Sequence, residues 1–201
     1  MSKVSETVAF FFRLARDDHW DRVLDAVRRG DISVNAQNDF GETLVHIAAH
    51  KQHAQALAEL KCLGAALSME TYANKYRPMH YACGQPVLRA EDVLPVLALV
   101  PPLDVDHVTV TGRTPLYFAA RAGSVEATAW LLQNSSGSEK DLTLTRDFVR
   151  STCDALGLGC VPAIELLFAE AIAERGRWSS RWSPGRAVWV GAVAVAVAVV
   201  A

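Results

Sequence analysis

Thr111 to Gly123 reads TGRTPLYFAARAG, and its residue order specifies one short helix with a defined start and stop. Thr114 can cap the helix by accepting a hydrogen bond from a free backbone N–H. Pro115 follows at the first helical position, where its missing N–H costs nothing. Leu116, Ala119 and Ala120 then form an apolar stripe with a small surface. Gly123 can adopt the left-handed conformation that ends the helix. A helix of two or three turns is marginal alone and must lean on a neighbour.

The same frame recurs. GETLVHIAA runs from Gly41 to Ala49 and KYRPMHYAC from Lys75 to Cys83. Aligned on the helix start, Thr43, Arg77 and Thr114 correspond, at separations of 34 and 37 residues. Ala15, Ala49, Cys83 and Ala120 share the inner small position, Gly30 and Gly64 close second helices, and Asn35 and Asp106 stand eight residues before a helix start. A period in the low thirties with this signature predicts an all-α solenoid of four to five helix–turn–helix repeats.

On these residues the chain resembles the ankyrin-repeat family, most fully at Thr114-Pro115-Leu116-Tyr117-Phe118-Ala119-Ala120 with Gly123 and Leu131-Leu132 behind it. The resemblance covers Ala9–Gln133. It extends more loosely over Arg150–Arg175, where Gly159 and Leu166-Leu167 repeat the spacing of Gly123 and Leu131-Leu132. Three residues depart from the family pattern: Arg77 replaces the capping Thr, Tyr117 replaces His, and Lys75 replaces the turn Gly. The family's Thr–His hydrogen bond is therefore expected only between Thr43 and His46. The resemblance implies binding of another protein on a concave surface of turn tips and first helices. Its variable positions map to Phe40, Glu42, His50 and Lys51 in the second repeat, Asn74, Tyr76 and Gln85 in the third, and Thr111, Arg113, Arg121 and Ala122 in the fourth. About half of such positions are expected to be solvated surface only. Phe40 and Tyr76 are singled out as aromatics expected at exposed tips.

The predicted organisation is a lead-in over residues 1–8, repeats over 9–134, and a loop over 135–149 containing NSSGSEKD. A degenerate repeat or helical cap follows over 150–175, a basic aromatic linker over 176–186, and an apolar tail over 187–201. Trp20, Val23, Leu24 and Val27 should face inward on the second helix. The net charge of -2 hides a split: of 20 basic and 22 acidic residues, four arginines and no acid fall in 175–201, leaving residues 1–174 at -6. An acidic body argues against nucleic-acid binding. Cys62, Cys83, Cys153 and Cys160 show no paired spacing and read as reduced thiols of a cytoplasmic protein. Val8–Ala15 reads as a first-repeat helix rather than a signal peptide, because Arg13 interrupts its short apolar run.

The tail is a candidate membrane anchor. Arg175, Arg177, Arg181 and Arg186 alternate with Trp178 and Trp182, and Ala187–Ala201, which includes Trp189, has no charged side chain. Fifteen residues of helix span roughly 22 Å, short of a hydrocarbon core of about 30 Å, and local thinning must close the gap. Arginines before the span favour a body facing the cytosol from an organelle membrane, and the tryptophans suit the interface. The alanine–valine alternation is also a strand pattern, so both readings of the tail stay open.

No catalytic, cofactor or metal constellation is legible. His50 with His53, and His80 with Cys83, have ligand-like spacing, but neither has the second pair that a zinc site needs. There is no phosphate-binding glycine loop and no paired-carboxylate signature. Two functions remain: a non-enzymatic interaction scaffold or adaptor, or a regulatory domain or subunit of an enzyme whose catalytic part lies elsewhere. Partner identity and oligomeric state are not encoded in any readable motif.

Overall fold

The computed structural model describes residues 3–84, 90–101, 104–137, 139–155 and 162–179. These residues form ten helices and no strand: α1 (Lys3–Arg16), α2 (Trp20–Arg29), α3 (Leu44–His50), α4 (Ala54–Cys62), α5 (Pro78–Cys83), α6 (Ala90–Leu99), α7 (Pro115–Ala122), α8 (Val125–Asn134), α9 (Glu139–Ala155) and α10 (Pro162–Ser179). The fold is an all-helical solenoid. The first helices α1, α3, α5, α7 and α9 stack in sequence, and the second helices α2, α4, α6, α8 and α10 stack behind them.

The local chemistry of the fourth repeat follows its sequence. Thr114 is extended and its side chain accepts from the Tyr117 N–H, Pro115 opens α7, and Gly123 ends it at φ 80°. Ala48, Ala82 and Ala119 are fully buried where successive first helices meet. Small side chains there let short helices approach closely, and larger ones would overpack the contact. Trp20, Val23 and Leu24 are buried and Val27 is packed partly against the core, as the periodicity of α2 requires. Leu57, Leu60, Val96, Leu97 and Leu131 continue the second-helix core, each worth about 1.5–3 kcal/mol relative to exposure.

The boundaries depart from the expected organisation at both ends. α1 begins at Lys3, inside the expected lead-in, and its Val8 packs against the core. From Glu139 onward the loop expected over 135–149 is helical. The turn-forming residues Asn134–Gly137 masked a following stripe in which Leu142, Val149 and Cys153 are buried at helical spacing. α9 and α10 thus form a fifth pair, longer than the four before it. α10 continues to Ser179, past the expected end of the cap. Of the expected Leu166-Leu167 pair, Leu167 is buried and Leu166 is 48% exposed; Gly159 lies outside the described residues.

Candidate functional site: the turn tips and first-helix face

The turns between repeats stack on one another. In the second repeat the Asn38 side chain accepts from the backbone N–H groups of Phe40 and Glu42, at 3.0 and 2.9 Å. Gly41 sits at φ 79°, and a Cβ there would lie 2.7 Å from the Tyr72 nitrogen, so only glycine fits this conformation and this approach. Lys75 occupies the equivalent place at φ 54° and Gly112 at φ 72°. Successive turns are joined by backbone hydrogen bonds, Tyr72 N–H to Phe40 C=O and Val110 N–H to Asn74 C=O, both 3.1 Å.

Buried histidines tie α3 and α5 each to the next turn. The His46 Nδ1 lies 2.9 Å from Thr43 Oγ1 and accepts the Thr43 N–H, which leaves Nε2–H to donate to the Tyr76 carbonyl at 3.2 Å. The expected Thr43–His46 bond is therefore present. The third repeat keeps the backbone half of it without a threonine: Arg77 N–H donates to His80 Nδ1 at 3.1 Å, and His80 Nε2 reaches the His107 carbonyl at 3.1 Å. Arg77 turns its guanidinium to Asp104, which is fully buried, and to Glu70, at 2.7 and 2.9 Å. Glu70 also bonds His107. An ionic joint thus replaces the hydroxyl at this repeat. Burial pushes both histidines down, His80 to about 4, so both rings are neutral at neutral pH.

The first-helix face carries a chain of rings. His50 meets Tyr81 (6.1 Å between centroids), Tyr81 meets Tyr76 (6.0 Å), Tyr76 meets Phe118 (5.6 Å), Phe118 meets Tyr117 (5.3 Å), and Tyr117 meets Phe148 (5.1 Å). The stripe runs from α3 to α9, mostly edge to face, the arrangement that ring quadrupoles favour. The Arg113 guanidinium lies 5.0 Å from the Tyr117 ring centroid and 5.5 Å from that of Phe148, within cation–π range. Phe148 is 44% exposed.

The sequence-derived positions divide among several environments. Phe40 is an exposed tip at 70%. Tyr76 is not: it is half-buried in the ring stripe, and the exposed aromatic of the third turn is Tyr72, at 64%. The third turn spans Thr71 to Tyr76 where the second spans Asn38 to Glu42; the extra residue lies before Asn74 and adds Tyr72 to the tip, while Tyr76 holds the place of Glu42, which is half-buried in both turns. Glu42 is engaged internally, accepting from Arg16, Asn38 and Tyr81 at 2.6–2.9 Å. Burial pushes its carboxyl up, but those hydrogen bonds and the Arg16 charge outweigh it and leave the group below its usual range. Lys51 pairs with Asp18 at the surface. His50, Asn74, Thr111 and Arg121 are exposed, Arg113 and Ala122 are half-buried, and Gln85 lies outside the described residues. Sequence reasoning missed Tyr72, Tyr81, Phe118 and Phe148. Tyr81 and Phe118 stand beside the inner small residues of α5 and α7, a signal present in the string.

Arg175, expected beside a membrane, has its guanidinium engaged within the fold. It reaches back from α10 to the carbonyls of Leu132 at 3.0 Å, Ser135 at 2.8 Å and Gly137, closing the end of α8. Arg177 and Trp178 fall within α10, while Arg181, Trp182, Arg186 and Trp189 lie outside the described residues, as does the apolar stretch 187–201. Among the described residues no helix is long and apolar enough to cross a membrane, and no group of three or more His, Cys, Asp or Glu could hold a metal ion.

Stacked helix–turn–helix pairs with joined turns define a helical repeat protein of the interaction-module class. A family model for the ankyrin repeat matches residues 111–143, which takes in the fourth turn, α7, α8 and the start of α9. The match and the stacked helix pairs together support an ankyrin-repeat protein. No curated protein matches it.

Proposed function

We propose that the protein is a scaffold or adaptor that docks a partner protein along its ring-lined first-helix face and the adjoining turn tips. The observation that carries this reading is the ring stripe of His50, Tyr81, Tyr76 and Phe118, joined through the buried Tyr117 to the exposed Phe148 and flanked by Phe40 and Tyr72 at the tips. Aromatic side chains and arginine are the groups that most often anchor interfaces, and Arg113 sits among them. Proximity labelling with the full chain and with Phe40→Ala/Tyr72→Ala tests it. Both side chains are exposed, so the variant keeps its helical circular dichroism, and it loses the partner set that the parent labels. Retention of the whole set refutes the surface.

The second element of the proposal is attachment to a membrane through 187–201, with the repeats in the cytosol. Its support is the apolar run after Arg177, Arg181 and Arg186. Val195→Arg places a charge mid-span at a cost of about 2.5–3.5 kcal/mol and moves the protein from the carbonate-washed membrane pellet to the supernatant. A variant that stays in the pellet refutes the attachment.

A further inference from the structure

The second and third turns are each covered by the turn that follows. The Phe40 carbonyl takes the Tyr72 N–H, and the Asn74 carbonyl takes the Val110 N–H. The fourth turn is different. After α8 the chain passes through 135–137 and enters α9 at Glu139 without building a turn of its own. No backbone donor among the described residues reaches the carbonyl of Thr111, the counterpart of Phe40 and Asn74. The substitution at Tyr117 belongs to the same change. A histidine at that place reaches the following turn, whereas the Tyr117 hydroxyl lies 3.4 Å from Thr152 of α9.

The missing turn leaves a groove of about 420 Å³ between the fourth turn and the start of α9. Leu116 and Leu142 line it, with Val108 and Leu144 at 53% and 60% exposure. Among the described residues its charged lining is Asp106 and Asp141, both acidic. Asp106 accepts from Ser135 Oγ, Ser136 N–H and Ser136 Oγ at 2.6–2.7 Å, which fixes the carboxylate on the groove wall. Arg175 donates to the carbonyls of Leu132, Ser135 and Gly137, and its charge helps hold the Asp106 carboxyl below its usual range.

We propose that this groove takes an extended peptide segment of a partner protein, rich in small and β-branched side chains and carrying a basic residue, which occupies the place of the absent fifth turn. The peptide adds its backbone N–H to the open Thr111 carbonyl, as Val110 and Tyr72 do at the Asn74 and Phe40 carbonyls one and two steps earlier. Backbone pairing at an open edge supplies affinity, and apolar side chains on Val108, Leu116 and Leu144 supply selection. The two carboxylates outnumber the single Arg175 charge beside Asp106, which favours a basic peptide over an acidic one. The site is separate from the ring stripe and does not depend on it.

The test is amide chemical-shift mapping on the full chain with a synthetic peptide copying residues 105–113, its aspartate exchanged for lysine. That segment is the turn that covers the third repeat. Shifts confined to 106–116 and 135–145 support the proposal. Leu144→Arg weakens binding by about tenfold, through lost apolar contact and charge repulsion. Val108→Arg, at the opposite wall, does the same and guards against a folding defect in either variant. Exchanging the second and third valines of the peptide for proline, which removes two backbone donors, abolishes binding, while Tyr76→Ala in the protein leaves it unchanged. Absence of shifts at saturating peptide overturns the proposal. So does equal binding of the proline peptide, or shifts that fall on Tyr76, Tyr81 and Phe118 instead.

Discussion

Lowering the pH from 7 to 5 should destabilise the protein through His80. Its Nδ1 accepts the Arg77 N–H and its Nε2–H donates to the His107 carbonyl, so the folded ring has no place for a second proton. Burial and the neighbouring His107 charge hold it at about 4, against 6.5 in a solvated chain. At pH 7 neither the folded nor the unfolded form carries the proton. Between 6.5 and 4 the unfolded chain binds a proton that the folded one refuses, so stability falls as pH falls and the loss is complete below 4. The full shift corresponds to about 3 kcal/mol, of which about 2 kcal/mol is lost by pH 5. Glu42 and Glu70 are held below their usual range, Glu42 by hydrogen bonds against burial and Glu70 first by its bond from Arg77, so their contribution is lost only as the pH falls through 4.5 and lower, beneath the pH 5 of this comparison. Urea midpoints at pH 7 and 5 measure the difference. His80→Gln is less stable at pH 7 but should lose about 2 kcal/mol less than the parent on acidification. An unchanged pH dependence in that variant, or a His80 imidazole signal titrating near 6.5, refutes the reasoning.

Three further changes probe the architecture. Gly41→Ala forces a side chain into a left-handed backbone and against the Tyr72 nitrogen, and should cost at least about 2 kcal/mol in denaturant titrations; Lys75→Gly relieves the same conformation in the third turn and should raise stability by about 1 kcal/mol. Ala119→Leu overpacks the buried α5–α7 contact and should lower the midpoint by about 1–3 kcal/mol, where an unchanged midpoint would contradict the stacking of first helices. Arg175→Met leaves the Leu132, Ser135 and Gly137 carbonyls without their donor, at about 1–3 kcal/mol, with hydrogen exchange rising first in α10.

The sequence by itself determined the elements whose causes are local. Thr114, Pro115 and Gly123 act within a few residues of one another, so the start and end of α7 could be read directly, and the recurrence of that string determined the solenoid. The Thr43–His46 bond was legible for the same reason, since both partners lie within one turn of helix. The tertiary structure decided what depends on distance along the chain. Arg77 looked like a lost cap until Asp104 and Glu70 came to meet it. Arg175 looked like a tail residue until the packing of α10 on α8 brought it to the carbonyls that end α8. Tyr76 looked exposed because a repeat frame assigns a place in the turn but not the neighbours on either side. The extra residue of that turn put Tyr72 at the tip, while Tyr76, in the half-buried place that Glu42 holds one repeat earlier, meets the rings of Tyr81 and Phe118. The open fourth turn follows the same logic. A periodic sequence states what each repeat contains, and only the stacked fold states whether another repeat arrives to cover it.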